Sequence, residues 1–198
     1  MYKLVLFFIS FLLSSQTYSH CSLTKIKAIE SKLNDSQSIV FSFVENNAKT
    51  GKIYIKKPGM MKIDYYSPER VSIISKAGVV IYYDHQLDEM TKIKQDPNFL
   101  TFLSKDKIDF RKDFKNFNCE EKDDIINIKI AIDDKDNQEI ILDLDFMQHN
   151  LSKISISSGK ITSGKITKSV VFVEDLQYNL LLSVDRFSLR DKQFYDME

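Results

Sequence analysis

The sequence predicts an α+β chain that is mainly β: one large antiparallel sheet accompanied by a few helices. Three observations predict it. Apolar and polar residues alternate with a period of two through most of the chain, and helical periodicity is confined to two short stretches. Those stretches are also too few and too badly placed to serve as crossovers of a parallel sheet.

The elements follow in order. Lys3, the apolar run Leu4–Leu13 and the polar residues up to Ser19 read as a cleaved secretory signal, residues 1–19, leaving 20–198 as a single domain. The apolar run is too short for a bilayer span, which needs roughly 20 residues. Lipid attachment at Cys21 is disfavoured, because His20 precedes it where a lipobox wants a small residue. Leu23, Ile26, Ile29 and Leu33 then give one amphipathic helix over Ser22–Asn34. From Ile39 the period becomes two, through Ile39–Val44, Ile53 and Ile55, and Met61, Ile63 and Tyr65. Asn46-Asn47 and Pro58-Gly59 supply turns, and Ser67-Pro68 ends the third run. Val71–Ser75, Val79–Tyr83 and Met90–Ile93 continue the series. Asp96 as N-cap, Pro97 at the first helical position and Phe99, Leu100 and Leu103 as an apolar face predict a second helix over Asp96–Ser104. Strands resume at Ile125–Ile132, Gln138–Phe146, Leu151–Ser157, Ile166–Val173 and Leu180–Val184.

Composition narrows the function. Lys and Arg number 28, matched by 28 Asp and Glu, so the chain lacks the net basic character of a dedicated nucleic-acid binder. Charge is nevertheless segregated. Five lysines and no acid lie between Asn46 and Lys62, four lysines and no acid between Asn150 and Val173, and six acids between Asp133 and Asp145. Such runs are either solvated strand faces or paired docking patches that speed encounter. Catalytic chemistry is missing. Neither His85 nor His149 has a metal-ligand partner at suitable spacing, and Asp84-His85 has no activated nucleophile beside it. Gly159 and Gly164 do not frame a phosphate loop, and Asp133-Asp134-Lys135-Asp136 lacks the Gly and Glu of a calcium loop. No enzyme, metal or cofactor is expected. Cys21 and Cys119 form a disulfide, as an exported chain allows, or stay as two free thiols; spacing leaves both open.

The apolar excess is the most informative feature. There are 14 Phe and 9 Tyr but no Trp, and Ile39–Val44, Val79–Tyr83, Ile140–Leu144 and Val170–Val173 are apolar on both faces. One face of a sheet can pack on helices, and the other must be covered by something else. Either the sheet closes over its own side chains, or it curves around a cavity for an apolar ligand.

A resemblance bears on that choice. Phe43-x-Glu45, followed by Gly51-x-Ile53-x-Ile55-Lys56-Lys57-Pro58-Gly59-x-x-Lys62-Ile63-x-Tyr65-x-x-Pro68, resembles the signature of the periplasmic outer-membrane lipoprotein carriers (LolA-type). Gly78, Tyr83-Asp84-x-x-Leu87-x-Glu89-Met90-Thr91 and Pro97-x-x-Leu100 continue in family order, and Asn179 and Phe187 resemble the closing strands. The resemblance implies an incomplete, strongly curved antiparallel β-barrel of about 10–11 strands, with a helical lid over an apolar cavity. It implies a monomer in the periplasm that takes acylated lipoproteins from an inner-membrane lipoprotein-releasing ABC transporter and hands them to an outer-membrane receptor. A lipid- or lipoprotein-sensing regulator and a general periplasmic lipid binder are alternatives on the same fold. Phe41, Phe43, Met61, Ile63, Tyr65, Ile81, Phe99, Leu100 and Leu103 are the expected acyl-chain contacts, and Lys57 and Pro58 the expected lid elements. The chain departs from the family pattern at Lys57, where Arg is common and can fork its hydrogen bonds, and at Glu45 and Glu89, where Gln is usual. Ile63 and Tyr82 stand where the family has strand tryptophans.

Overall fold

Two antiparallel meanders share one sheet. A computed structural model describes residues 19–94, 101–114, 116–133, 138–160 and 166–189. The first meander runs β2 (Ser38–Glu45), β3 (Lys49–Lys56), β4 (Met60–Ser67), β5 (Val71–Lys76), β6 (Val79–Asp84) and β7 (Glu89–Lys94). The second runs β8 (Asn116–Lys122), β9 (Ile125–Asp133), β10 (Gln138–Met147), β11 (Asn150–Lys160) and β12 (Ile166–Tyr178), and β12 pairs with β2 to join them. A two-residue β1 (Ser19–His20) adds to β8, so the order is β1-β8-β9-β10-β11-β12-β2-β3-β4-β5-β6-β7. The ends, β1 and β7, do not pair with each other. The sheet is an open, incomplete barrel, as the resemblance implies.

Local chemistry explains the tight connections. Asp123-Asp124 and Gln148-His149 both take positive φ at their two central positions, as does Ala77-Gly78. That backbone matches the right-handed twist of the strands and closes a hairpin in two residues. Register shifts at Thr50/Gly51, Asp145/Phe146 and Glu174/Gln177 insert bulges, which increase local twist and bend the sheet. Asn179, at φ 60°, ends β12, and its side-chain oxygen accepts from the Gln37 amide at 2.8 Å.

Two helices lie on the sheet. α1 (Leu23–Asn34) is capped by Ser22, whose hydroxyl accepts from the Lys25 amide, and it buries Ile26, Ile29 and Leu33. α2 (Phe110–Asp113) is a single turn. Of the expected second helix, only Thr101–Ser104 is described, as a 3-10 turn; Asp96, Pro97, Phe99 and Leu100 lie outside the described residues, as do residues 1–18 and 134–137. No described helix is long and apolar enough to cross a membrane.

Two expectations are corrected. Leu180–Val184 is not a strand: after the Asn179 turn the chain crosses the outer face of the sheet, leaves Leu181 fully exposed and enters a 3-10 turn, Val184–Phe187. Phe187 then packs with Val40, Tyr54 and Ile74 to form a second, outer core. β8 is a strand that periodicity missed, because Asn116-Phe117-Asn118-Cys119-Glu120-Glu121-Lys122 has only two apolar positions.

Candidate functional site: a covered apolar face

Register decides which side chains share a face. Phe41 pairs with Ile53, Ile53 with Ile63 and Ile63 with Ile73; one step up, Phe43 pairs with Gly51, Gly51 with Tyr65 and Tyr65 with Val71. On the other side Phe43 pairs with Val173, and Val171, Ile154 and Leu144 continue the row through β12, β11 and β10. Directly opposed residues point the same way, so these form one continuous apolar face. Gly51 is a requirement of that face. A Cβ there would stand 2.3 Å from the Asp64 carbonyl oxygen and 2.6 Å from the Phe43 ring, so the ring lies where a side chain would be.

The face is covered by α1, by the Thr101–Ser104 turn through Phe102 and Leu103, and by Ile108 and Phe110. Polar groups hold these parts to each other. The buried Glu30 carboxylate accepts from the Phe110 amide at 2.9 Å and from the Lys27 ammonium at 2.6 Å. The Asn34 amide accepts from the Ile108 N–H and donates to the Ile108 carbonyl. Two bonds from the β3–β4 turn attach the cover to the sheet at one end, and Lys32 of α1 adds a hydrogen bond to Asn150 of β11 at 2.6 Å. The buried Lys57 ammonium donates to the Leu33 carbonyl near the end of α1 at 2.5 Å, and the Gly59 N–H donates to the Ser104 carbonyl at 2.8 Å. Lys57 and Gly59 thus clasp both halves of the cover, with Pro58 exposed between them. Burial pushes the Lys57 ammonium below its ordinary range, partly offset by the Asp106 carboxylate.

Cys21 and Cys119 are joined in a disulfide with Cα atoms 5.5 Å apart, which ties the residue before the cap of α1 to β8. A shallow hollow of about 540 Å³ beside it includes Arg111 and Asn118 and opens to solvent at the sheet's edge.

A partly open cavity of about 230 Å³ remains at the end of the face away from Leu103. Phe43, Ile53, Ile63, Tyr65, Ile154, Ile156 and Val171 line it, with Glu45 and Ser169 as its polar members. The Glu45 carboxylate accepts from the Ser169 hydroxyl at 2.5 Å and from the Tyr65 hydroxyl at 3.3 Å. Burial, with the nearby Glu45 charge, pushes the Tyr65 phenol far above its ordinary value, so it stays a donor.

The structure brings Phe41, Phe43, Met61, Ile63, Tyr65 and Leu103 to this one face. Phe43, Ile63 and Tyr65 line the cavity, while Phe41 and Met61 pack beneath the cover and Leu103 belongs to the cover itself. Ile81 sits elsewhere, half-buried against the outer core with Ile74. Ile154, Ile156 and Val171 are lining residues that sequence reasoning missed; their alternation was visible, but not which strand would close beside β2. The Asp84-His85 pair does not act together. Asp84 accepts from the amides of Gln86 and Leu87, and His85 meets Ser72, whose hydroxyl donates to Asp64, itself in a buried ion pair with Lys62. Among the described residues no group of three or more His, Cys, Asp or Glu could hold a metal ion.

The family model described as "Outer membrane lipoprotein carrier protein LolA" matches residues 22–187. The chain is also 30% identical over 102 residues to "Uncharacterized protein RP864" of Rickettsia prowazekii (strain Madrid E), over 50% of this chain and 48% of that protein. The chain therefore spans about half the length of the curated relative it matches. The family match takes in α1, the clasp at Lys57–Gly59, every strand from β2 to β12 and the Phe187 plug, and by it the chain belongs to the LolA family of outer membrane lipoprotein carrier proteins.

Proposed function

We propose that this chain is a periplasmic carrier that shields the acyl chains of lipoproteins and ferries them from an inner-membrane ABC transporter to the outer membrane. The observation that carries the reading is a continuous apolar face whose two-part cover is clasped at one end by Lys57 and Gly59 of the β3–β4 turn. LolA is a family of carriers, not of enzymes. Residues 1–19 act as the export signal and 20–198 as one monomeric carrier domain. An outer-membrane receptor takes the cargo where one exists.

Magnitudes fit a carrier that both holds and releases. Each acyl methylene kept from water is worth about 0.8 kcal/mol, so a long chain is worth on the order of 10 kcal/mol. The cover buries Ile26, Ile29, Leu33, Phe102, Leu103, Ile108 and Phe110 on the same face. At about 1.5–3 kcal/mol for each such side chain, these are worth on the order of 10–20 kcal/mol. Guest and cover compete for one surface at worths of the same order, so a long acyl chain can offset a large part of what opening the cover costs. The described form is the closed one: its cavity of about 230 Å³ lies below the roughly 300–1,000 Å³ usual for ligand pockets.

A photo-crosslinking residue at Phe43 or Ile63, expressed in cells, tests the reading. Adducts with acylated lipoproteins are expected at both. Adducts with phospholipid alone would make the chain a general lipid binder, and adducts with no acylated molecule would overturn the carrier role.

A further inference from the structure

One side chain separates two cavities on the covered face. Tyr65 lines the cavity described above, and it also lines a second of about 300 Å³ with Val71, Ile73 and Tyr82. Register puts the second set on the same face, since Tyr65 pairs with Val71, Ile63 with Ile73 and Ile73 with Tyr82. Polar groups stand at its rim, Lys49, Ser67 and Glu69. An apolar wall with a polar rim suits an amphiphile whose tail enters and whose head stays at the mouth.

The ring of Tyr65 is held by three weak contacts. Its hydroxyl donates to Glu45 at 3.3 Å, its ring meets Phe43 edge-to-face at 5.2 Å, and the Lys49 ammonium stands 5.9 Å from its centroid. The ring is only half-buried. Side chains move between discrete staggered positions, so a ring released from Glu45 swings in one step rather than by gradual drift. Separately, the two cavities lie below or at the bottom of the usual range for ligand sites; joined, they fall inside it.

We propose that Tyr65 is a movable partition tethered by Glu45, and that the cavity lined by Val71, Ile73 and Tyr82 is a second acyl-chain compartment. The tethered ring leaves room for one chain, and the swung ring admits two. This inference rests on the carrier reading and adds to it the side chain that sets how many chains are held.

The test uses the purified full chain and two probes, the single-chain fluorophore cis-parinaric acid and a diacylated lipopeptide that displaces it. Tyr65→Phe removes the tether and keeps the ring. It is expected to raise the ratio of diacyl to single-chain affinity about two- to tenfold, the size of one net hydrogen bond. Tyr65→Ala is expected to shift the ratio at least as far, and native mass spectrometry should count two bound fatty acids where the parent chain holds one. Tyr65→Phe stays readable should Tyr65→Ala fail to fold. If both probes bind the parent chain and neither ratio nor count moves in the variants, the partition is wrong and the carrier reading stands. If neither probe binds the parent chain, both fall.

Discussion

Removing the disulfide by replacing Cys21 and Cys119 with serine should cost this protein much of its stability and loosen one end of its cover. The two cysteines are separated by 98 residues, so the bridge closes the whole of the first meander and both helices into one loop. In the chain-entropy account a loop of that length stabilises by about 4.7 kcal/mol at 25 °C, within a usual range of 0–5. Domains have only about 5–15 kcal/mol in total. What remains at that end of α1 is modest: the two-residue pairing of β1 with β8, a long hydrogen bond from the Cys21 N–H to the Cys119 carbonyl, and the partly exposed Lys25–Glu121 ion pair, a type that contributes about 0–1 kcal/mol. We expect a loss of about 3–5 kcal/mol and a fall in Tm of roughly 6–20 °C. Urea unfolding of the oxidised protein, the same protein in dithiothreitol and the double serine variant measures it, with the last two expected to coincide. Hydrogen exchange over 23–34 should quicken, because Ile26 and Ile29 lose their nearest covalent anchor. A loss below about 1 kcal/mol, or a reduced protein as stable as the oxidised one, would show that the bridge restrains nothing that the packing of α1 does not already hold.

Two further predictions concern the clasp and the curvature. Lys57 has a lowered pKa in the closed form and an ordinary one when the cover is open, so the closed form gains as pH rises through the window between that lowered value and 10.5. Acyl-probe affinity should therefore fall across that alkaline window in the parent protein, and this component should vanish in Lys57→Met; identical profiles would refute the clasp. Gly51→Ala forces a Cβ to within 2.3 Å of the Asp64 carbonyl oxygen, an atom of the β4 backbone that cannot turn aside. We expect about 3 kcal/mol of destabilisation, at the upper end of ordinary overpacking, seen as a Tm lowered by roughly 6–12 °C. An unchanged Tm would mean that the β3–β4 bulge absorbs the extra atom.

How much of this was readable in the sequence depended on which force shaped each part. β2 to β6 and β9 to β12 follow from their period of two, because burying one face is a local demand that each strand states in its own residues. Which face turns inward was not readable where both are apolar. Val40, Ile74 and Ile81 satisfy the same pattern as Phe41 and Ile73, and only the Phe187 segment, arriving from more than a hundred residues away, makes theirs the outer core. Ile81 was placed with the lining for that reason. β8 was silent, since its strand character comes from pairing with β9 and from the bond at Cys119 rather than from hydrophobicity. Leu180–Val184 erred the other way: its leucines look like a strand, but Asn179 turns the chain out of the sheet before they can pair.

The departures from the family pattern locate the restraints on the cavity. Lys57 stands where Arg is common, and it holds the end of α1 to the β3–β4 turn by one hydrogen bond to a carbonyl where a guanidinium could fork two. Glu45 stands where Gln is usual, and it holds the Tyr65 ring while its other oxygen takes the Ser169 hydroxyl. A carboxylate only accepts, so both hydroxyls must donate to it, whereas an amide would offer one acceptor oxygen and two donors. The two substitutions therefore act in opposite directions: the lysine weakens the clasp on the cover, and the glutamate strengthens the tether on the partition. Glu89, the third departure, is exposed on β7 opposite Asp84 and touches neither restraint. A carrier altered at both points opens its cover more readily while keeping its two compartments apart. That combination favours exchange of a first acyl chain over admission of a second.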